Sequence, residues 1–225
     1  MKGTFIVLQA RMKSTRLPGK LLLPLKGITM LEHILMRLRY AEVPQGVIVA
    51  TTEDTLPHIK NIIKKFGALP FAGSEEDVLG RFYGAVRLYD VKTAVRATAD
   101  NPFVCIQHLD MACRLHEEMK GDLTTFSFLH YGTGIEVIRG EIIELLNREV
   151  TDPFEREHIT QHIYRNESRF KVVRGMPERY YRRPELRLTV DTQEDYERVS
   201  AIYEALYRGF PISLSEVIEY LDSRS

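Results

Sequence analysis

The sequence predicts an α/β fold in which a mostly parallel, mixed sheet is flanked by helices. Three observations predict it. Short β-rich runs alternate with helical patterns four times in about the first hundred residues, an alternation that builds parallel sheets through right-handed crossovers. The first run is continuously apolar rather than alternating, as strands covered on both faces are. The helical patterns between the runs open on capping residues.

Taken in order, residues 5–9 form a buried strand. Thr29-x-x-Glu32 is a capping box, and Leu31, Ile34, Leu35 and Leu38 follow at helical spacing. Residues 46–51 (GVIVAT) are a second strand, and Ile59, Ile62, Ile63 and Phe66 line a helix face that Gly67 ends. A short strand at 69–72 leads into Ser74-Glu75-Glu76-Asp77, a capping-type start continued by Val78, Phe82 and Val86. Residues 93–98 are the fourth strand, ending at Ala99-Asp100-Asn101-Pro102. Beyond it the pattern predicts strands at 122–128 and 135–139 and helices near 140–148 and 153–166. Further strands at 170–174 and 186–190 are expected as antiparallel partners. Thr192 opens the next helix, and the capping box Ser213-x-x-Glu216 opens the last. There is no internal repeat, low-complexity segment or linker in the 225 residues. One domain with an elaboration at about 140–184 is expected.

Composition narrows the function. Hydrophobic residues make up 44% and charged residues 28%, with a formal net charge of zero. A general nucleic-acid or membrane-surface binder leans basic, so neither is expected. No segment approaches the roughly 18 consecutive apolar residues of a membrane span, and the N-terminal apolar run is too short for a signal peptide. Cys105 and Cys113 fall in one predicted helix, roughly 12 Å apart at helical rise, too far for a disulfide. Two free core thiols and a cytoplasmic location are therefore expected.

Within this neutral chain the charge is uneven. Lys2, Arg11, Lys13, Arg16, Lys20 and Lys26 precede the first acid, Glu32. Four of these cations stand in the stretch LQARMKSTRLPGKLLLPL (8–25), interleaved with Ser14, Thr15 and a Pro18-Gly19 pair. Such a loop at the carboxyl end of a strand suits a small anionic ligand, held by backbone N–H groups and positive side chains. The G-x-x-x-x-G-K-[ST] pattern fails twice, with Ser14 at its first Gly and Leu21 at its Ser/Thr. A magnesium ligand must then come from elsewhere. Asp100 and Asp191 each follow a β-rich run; two carboxylates plus phosphate oxygens and water make a seat for Mg²⁺, while each Asp can equally cap the next helix. His158 and His162 stand at i, i+4 without the Glu of H-E-x-x-H between them, so a polar helix face or substrate contact outweighs zinc. RYYRRPELR (179–187) mixes aromatics with cations, but one such stretch in a neutral chain suits a surface hairpin or dimer contact better than single-stranded nucleic acid. G-x-S-x-G is absent.

ARMKSTRLPGK (10–20) resembles the signature A-R-x-x-S-x-R-L-P-G-K of the cytidylyltransferases that activate acidic sugars, the acylneuraminate and 3-deoxy-manno-octulosonate groups. It matches at Ala10, Arg11, Ser14, Arg16, Leu17, Pro18, Gly19 and Lys20. GSEEDVLGRFYGA, RATADNP, FEREHITQHIY and LRLTVDTQEDYE resemble the branch named for spore coat polysaccharide biosynthesis, so the likeness spans about residues 4–200. The resemblance implies a nucleotide-diphosphosugar transferase (Rossmann-like) fold. It implies transfer of CMP from CTP to an acidic sugar for surface polysaccharide, with release of pyrophosphate; independently of it, a homodimer is expected, with its contact at the 140–184 elaboration. The resemblance places Arg11 and Lys20 on the triphosphate as catalytic groups, assisted by Ser14 and Arg16. It gives Asp100 and Asp191 to Mg²⁺, and Ala10, Ser74 and Arg81 to the nucleotide. Glu136, Glu157 and His158 are its sugar-side candidates. Two departures stand out: Glu136 is the sole acid of the Gly134-Ile135-Glu136-Val137 stretch, and Arg96 stands where the sugar-acid enzymes carry Gln. A nucleotide-sugar-dependent glycosyltransferase of the same architecture would need a D-x-D motif, which the Ala-Asp-Asn at 99–101 lacks. A non-catalytic nucleotide- or sugar-binding protein is the other alternative.

Overall fold

The structure is a computed structural model that describes residues 3–224; Lys2 of the early cation run lies outside them. The chain begins with strand β1 (Gly3–Gln9), a short 3-10 turn (Lys20–Leu22) and a small hairpin, β2 (Pro24–Leu25) and β3 (Ile28–Thr29). Helix α1 (Met30–Leu38), β4 (Val47–Thr52), α2 (Leu56–Lys65), β5 (Leu69–Gly73), α3 (Val78–Leu88) and β6 (Val91–Thr98) then alternate as expected. There follow α4 (Ile106–Met119), β7 (Leu123–Phe126), β8 (Glu136–Arg139), α5 (Gly140–Glu149), α6 (Pro153–Glu157), α7 (Gln161–Arg165), β9 (Val172–Gly175), α8 (Gln193–Leu206) and α9 (Leu214–Asp222). The capping boxes read from the sequence form at α1 and α9, and a third forms at α8 between Thr192 and Asp195.

Seven strands make one sheet in the order β5-β4-β1-β6-β8-β7-β9. The first four are mutually parallel, and β8 runs antiparallel to both of its neighbours. Side chains of β1 alternate between two cores, since successive strand residues point to opposite faces. Ile6 and Leu8 join Val95, Leu35, Leu109 and Val217 on one face. Phe5 and Val7 join Ala94, Phe82, Ile143 and Ile163 on the other. This double covering is why the first strand carries no polar alternation.

Three expectations for the second half are corrected. β9 pairs parallel, not antiparallel, with β7. Residues 186–190 form no strand: the N–H of Leu188 donates to Tyr131 O (2.8 Å) and that of Val190 to Asp100 O (2.8 Å), with one isolated bridge between Tyr131 and Arg187. The alternating apolar pattern there reported burial of Leu188 and Val190, not a ladder. The helix expected at 153–166 is broken into α6 and α7, because Ile159 and Thr160 turn into the core between them. His158 and His162 therefore share no helix face. His162 Nδ1 instead meets Glu155 Oε2 at 2.7 Å. Cys105 caps α4 rather than lying in it, and both thiols are free and buried.

The fold also buries four imidazoles, His33, His108, His116 and His130, and the last two are shifted furthest. His116 and His130 are buried, and burial pushes each down to about 4, with Arg139 and Arg183 respectively adding repulsion. Both are neutral in the folded chain but take up a proton on unfolding below about pH 6.5. Stability therefore falls as pH drops from roughly 6.5 towards 4, where the unfolded chain holds more protons. Neither ring nitrogen of His130 finds a hydrogen-bond partner. The melting temperature of His130→Leu should accordingly fall less steeply than that of the parent over this window; superimposable slopes by scanning calorimetry would refute it.

Candidate active site

The chain leaves β1 for β4 and β5 on one side and later adds β6 on the other, so the crevice beyond β1 and β6 is a topological switch point, where open α/β sheets bind ligands. The cation loop lies at this edge and is folded back on itself. The N–H of Met12 donates to Thr55 Oγ1 (3.0 Å) and that of Gly19 to Met12 O (3.0 Å). Gly19 holds φ +70°, which costs a glycine little. The turn it makes delivers Lys20 inward.

Lys20 is 9% exposed and is where the site converges. Its Nζ donates to Val190 O (2.7 Å) and Asp191 Oδ1 (3.1 Å) and lies 3.6 Å from Asp100 Oδ2. Two acids ninety-one positions apart thus meet at one ammonium. Asp100 reaches it directly off the end of β6. Asp191 reaches it because residues 189 and 190 are bound to Asp100's carbonyl, by Thr189 Oγ1 (3.3 Å) and the Val190 N–H (2.8 Å). Arg16 Nη2 lies 3.3 Å from Asp191 Oδ1 and Arg187 Nη2 donates to Asp191 Oδ2 (2.8 Å). Burial pushes the Asp191 carboxyl up, but Lys20, Arg16 and Arg187 together hold it below the usual carboxylate range. A hard-oxygen pair that already attracts a cation suits Mg²⁺, which commonly takes one or two carboxylates and completes its shell with phosphate and water. No group of three or more His, Cys, Asp or Glu among the described residues could hold a metal by itself.

The other candidates surround this centre at different distances. Arg11 is exposed, with Nη2 3.6 Å from Glu157 Oε1, so a triphosphate-side and a sugar-side candidate already face each other. Ser14 Oγ accepts from the Leu17 N–H (3.3 Å), shaping the loop. Lys13 points away, to Glu75 (2.5 Å) and Asp54 (3.3 Å). Ala10 is buried, its N–H donating to Ala50 O (3.2 Å). Arg81 is buried and donates to the carbonyls of Ser74 and Glu75, bracing the loop on which Ser74 is exposed. Burial, and then the charge of Arg11, lower its pKa. His158 is exposed, with its ring packed on Phe154.

Glu136 sits in a cluster on the other side of the crevice. It lies opposite Arg96 in the β6–β8 register and accepts from Arg96 Nη1 (2.7 Å) and the Tyr164 hydroxyl (2.8 Å). Arg96 Nε also donates to Gln9 Oε1 (3.0 Å). Sequence reasoning noticed Arg96 but missed Gln9 and Tyr164. It also placed Arg187 in a surface hairpin or dimer contact, whereas Arg187 Nη2 donates to Asp191 Oδ2 in a segment that forms no strand.

A cytidylyltransferase family profile matches residues 5–214. The chain is 33% identical over 230 residues to the spore coat polysaccharide biosynthesis protein SpsF of Bacillus subtilis, covering 99% of this chain and 95% of that one. It superposes on a cytidylyltransferase of Leptospira borgpetersenii with TM-score 0.91 at 31% identity, covering 100% and 95% of the two chains. At 17% identity it shares the fold of a CMP:2-keto-3-deoxy-manno-octonic acid synthetase solved with CTP (TM-score 0.70, 90% and 99% covered). With the expected loop, acids and sheet edge in one place, the chain belongs to the cytidylyltransferase family.

Proposed function

We propose that the protein transfers CMP from CTP to a hydroxyl of an acidic sugar and releases pyrophosphate, in the making of a surface polysaccharide. The observation that carries this reading is the meeting of Lys20, Asp100 and Asp191 at the switch-point crevice, beside a loop bearing Arg11 and Arg16. The sugar oxygen attacks the α-phosphorus, the bond to the bridging oxygen breaks, and pyrophosphate leaves with that electron pair while the hydroxyl proton passes to solvent. Phosphoryl-type transfers depend on in-line positioning and charge neutralisation rather than on a covalent enzyme intermediate. Lys20, Arg16 and Arg11 supply positive charge along the polyphosphate, most usefully where negative charge grows on the leaving group. Asp100 and Asp191 would hold Mg²⁺, which when bound supplies a Lewis acid for the phosphate oxygens. Gln9, Arg96, Glu136 and Tyr164 line the side on which the sugar is placed.

Pyrophosphate release measured with each nucleoside triphosphate, Mg²⁺ and a panel of sugar acids is expected to require CTP and an acid acceptor together. Tight CTP binding with no turnover on any acceptor would instead make the chain a binding module. We further propose a homodimer, with the second copy on the 140–184 segment where Phe154, Met176 and Tyr180 are exposed. Light scattering of the same preparation should then give twice the 26.0 kDa chain mass, and a mass of one chain would refute it. The two buried free thiols fit a reducing cytoplasm.

A further inference from the structure

Asp191 is gripped on three sides. Its Oδ2 accepts from Arg187 Nη2 (2.8 Å), its backbone N–H donates to Asp195 Oδ2 (3.0 Å), and only Oδ1 faces Lys20 and Arg16. Arg187 is itself fixed. Its Nε and Nη2 donate to the two oxygens of Asp195 (3.1 Å each), and its guanidinium lies 4.9 Å from the centre of the Tyr131 ring. Asp195 is buried, caps α8 through the N–H of Thr192 (3.2 Å) and is also bound by Arg198. The chain of contacts therefore runs from the first turn of a long helix, through a planar fork, to one oxygen of one carboxylate.

We propose that Arg187, anchored by Asp195, is a positioning residue that occupies one oxygen of Asp191 so that the other alone is presented to the crevice. The inference rests on the reading of Asp191 as a carboxylate serving the metal–triphosphate complex. A carboxylate free to rotate can close on a cation with both oxygens or turn away from it; one oxygen held by a rigid fork does neither. Lysine cannot substitute fully, because a point charge cannot bridge Asp191 and both oxygens of Asp195 with fixed geometry. Partners that orient a metal-binding side chain are typically worth 10–100-fold in affinity or activity when removed.

The test uses the full chain with Mn²⁺ and CTP as the probe. Mn²⁺ affinity in the presence of CTP, read by electron paramagnetic resonance, is expected to weaken on the order of 10-fold or more in Arg187→Met. Arg187→Lys should recover part of the loss, and Asp195→Asn should reproduce part of it. Turnover should fall more in kcat than KM for CTP rises, since the nucleotide's other cations are intact. A lowered melting temperature with Mn²⁺ affinity equal to the parent's in every variant would make Arg187 purely structural and overturn the proposal. Should Arg187→Met fail to fold, the lysine and Asp195→Asn variants decide it by the same readout. Should the parent bind no Mn²⁺ with CTP, the cytidylyl reading fails separately. Crystals of Arg187→Lys and Asp195→Asn then decide the brace: a rotated Asp191 carboxylate supports it and an unmoved one overturns it.

Discussion

Replacing Lys20 with Met is expected to lower kcat on the order of 10²-fold, the scale of losing one key electrostatic contact to a transition state. Methionine keeps a chain of similar length and removes the charge. Lys20 is the residue to change because no other cation of the loop is so placed: it is buried, and its ammonium reaches Asp100, Asp191 and the Val190 carbonyl together. Arg16 touches one of these acids from an exposed position, and Arg11 neither. The folded state should persist, since Asp191 retains Arg187 and Arg16, and the segment carrying it remains bonded to Asp100's carbonyl. Pyrophosphate release under saturating CTP and acceptor, alongside a melting curve, checks the expectation. Turnover within a factor of two of the parent would remove Lys20 from the catalytic account.

Much of this site was legible in the sequence, and for identifiable reasons. The parallel half of the sheet follows from its apolar strands and capped helices, which are local signals. The cation loop could be placed at the ligand edge because position in a parallel sheet follows from strand order alone. Asp100 was legible in the same way, since it follows β6 directly. Asp191 was expected for a partly mistaken reason: it ends no strand, and its place depends on backbone bonds to Asp100 and Tyr131 that no local pattern encodes. The second half misled where burial and ladder pairing give the same alternation, as at 186–190, and where one helical stretch had to bend to bury Ile159 and Thr160. Arg187 was lost among the neighbouring arginines because composition cannot distinguish a cation facing solvent from one facing a carboxylate.

Gly132→Ala is expected to cost about 2–4 kcal/mol of stability, combining left-handed backbone strain with overpacking. Gly132 holds φ +95°, and a Cβ there would lie 2.6 Å from Thr189 N and 3.0 Å from Leu188 C and Thr189 Cα. These are backbone atoms, so no side chain can swing aside. The loop cannot retreat either. On one side the N–H of Tyr131 donates to Leu186 O (3.0 Å) and that of Leu188 to Tyr131 O (2.8 Å); on the other, Thr133 O accepts from the Cys105 N–H (2.9 Å). The strain must pass into residues 188–190, which position Asp191 and hold the Asp100 carbonyl. Activity should therefore fall together with the melting temperature, by roughly 5–15 °C for a chain of this size. Gly27→Ala is the matched control: its φ is +92°, but nothing lies within 4 Å of the added atom. That variant should show only the backbone term, about 1 kcal/mol, with activity unchanged. If the two variants melt together, the close approach at Gly132 does not hold the acid-bearing segment in place, and another contact must.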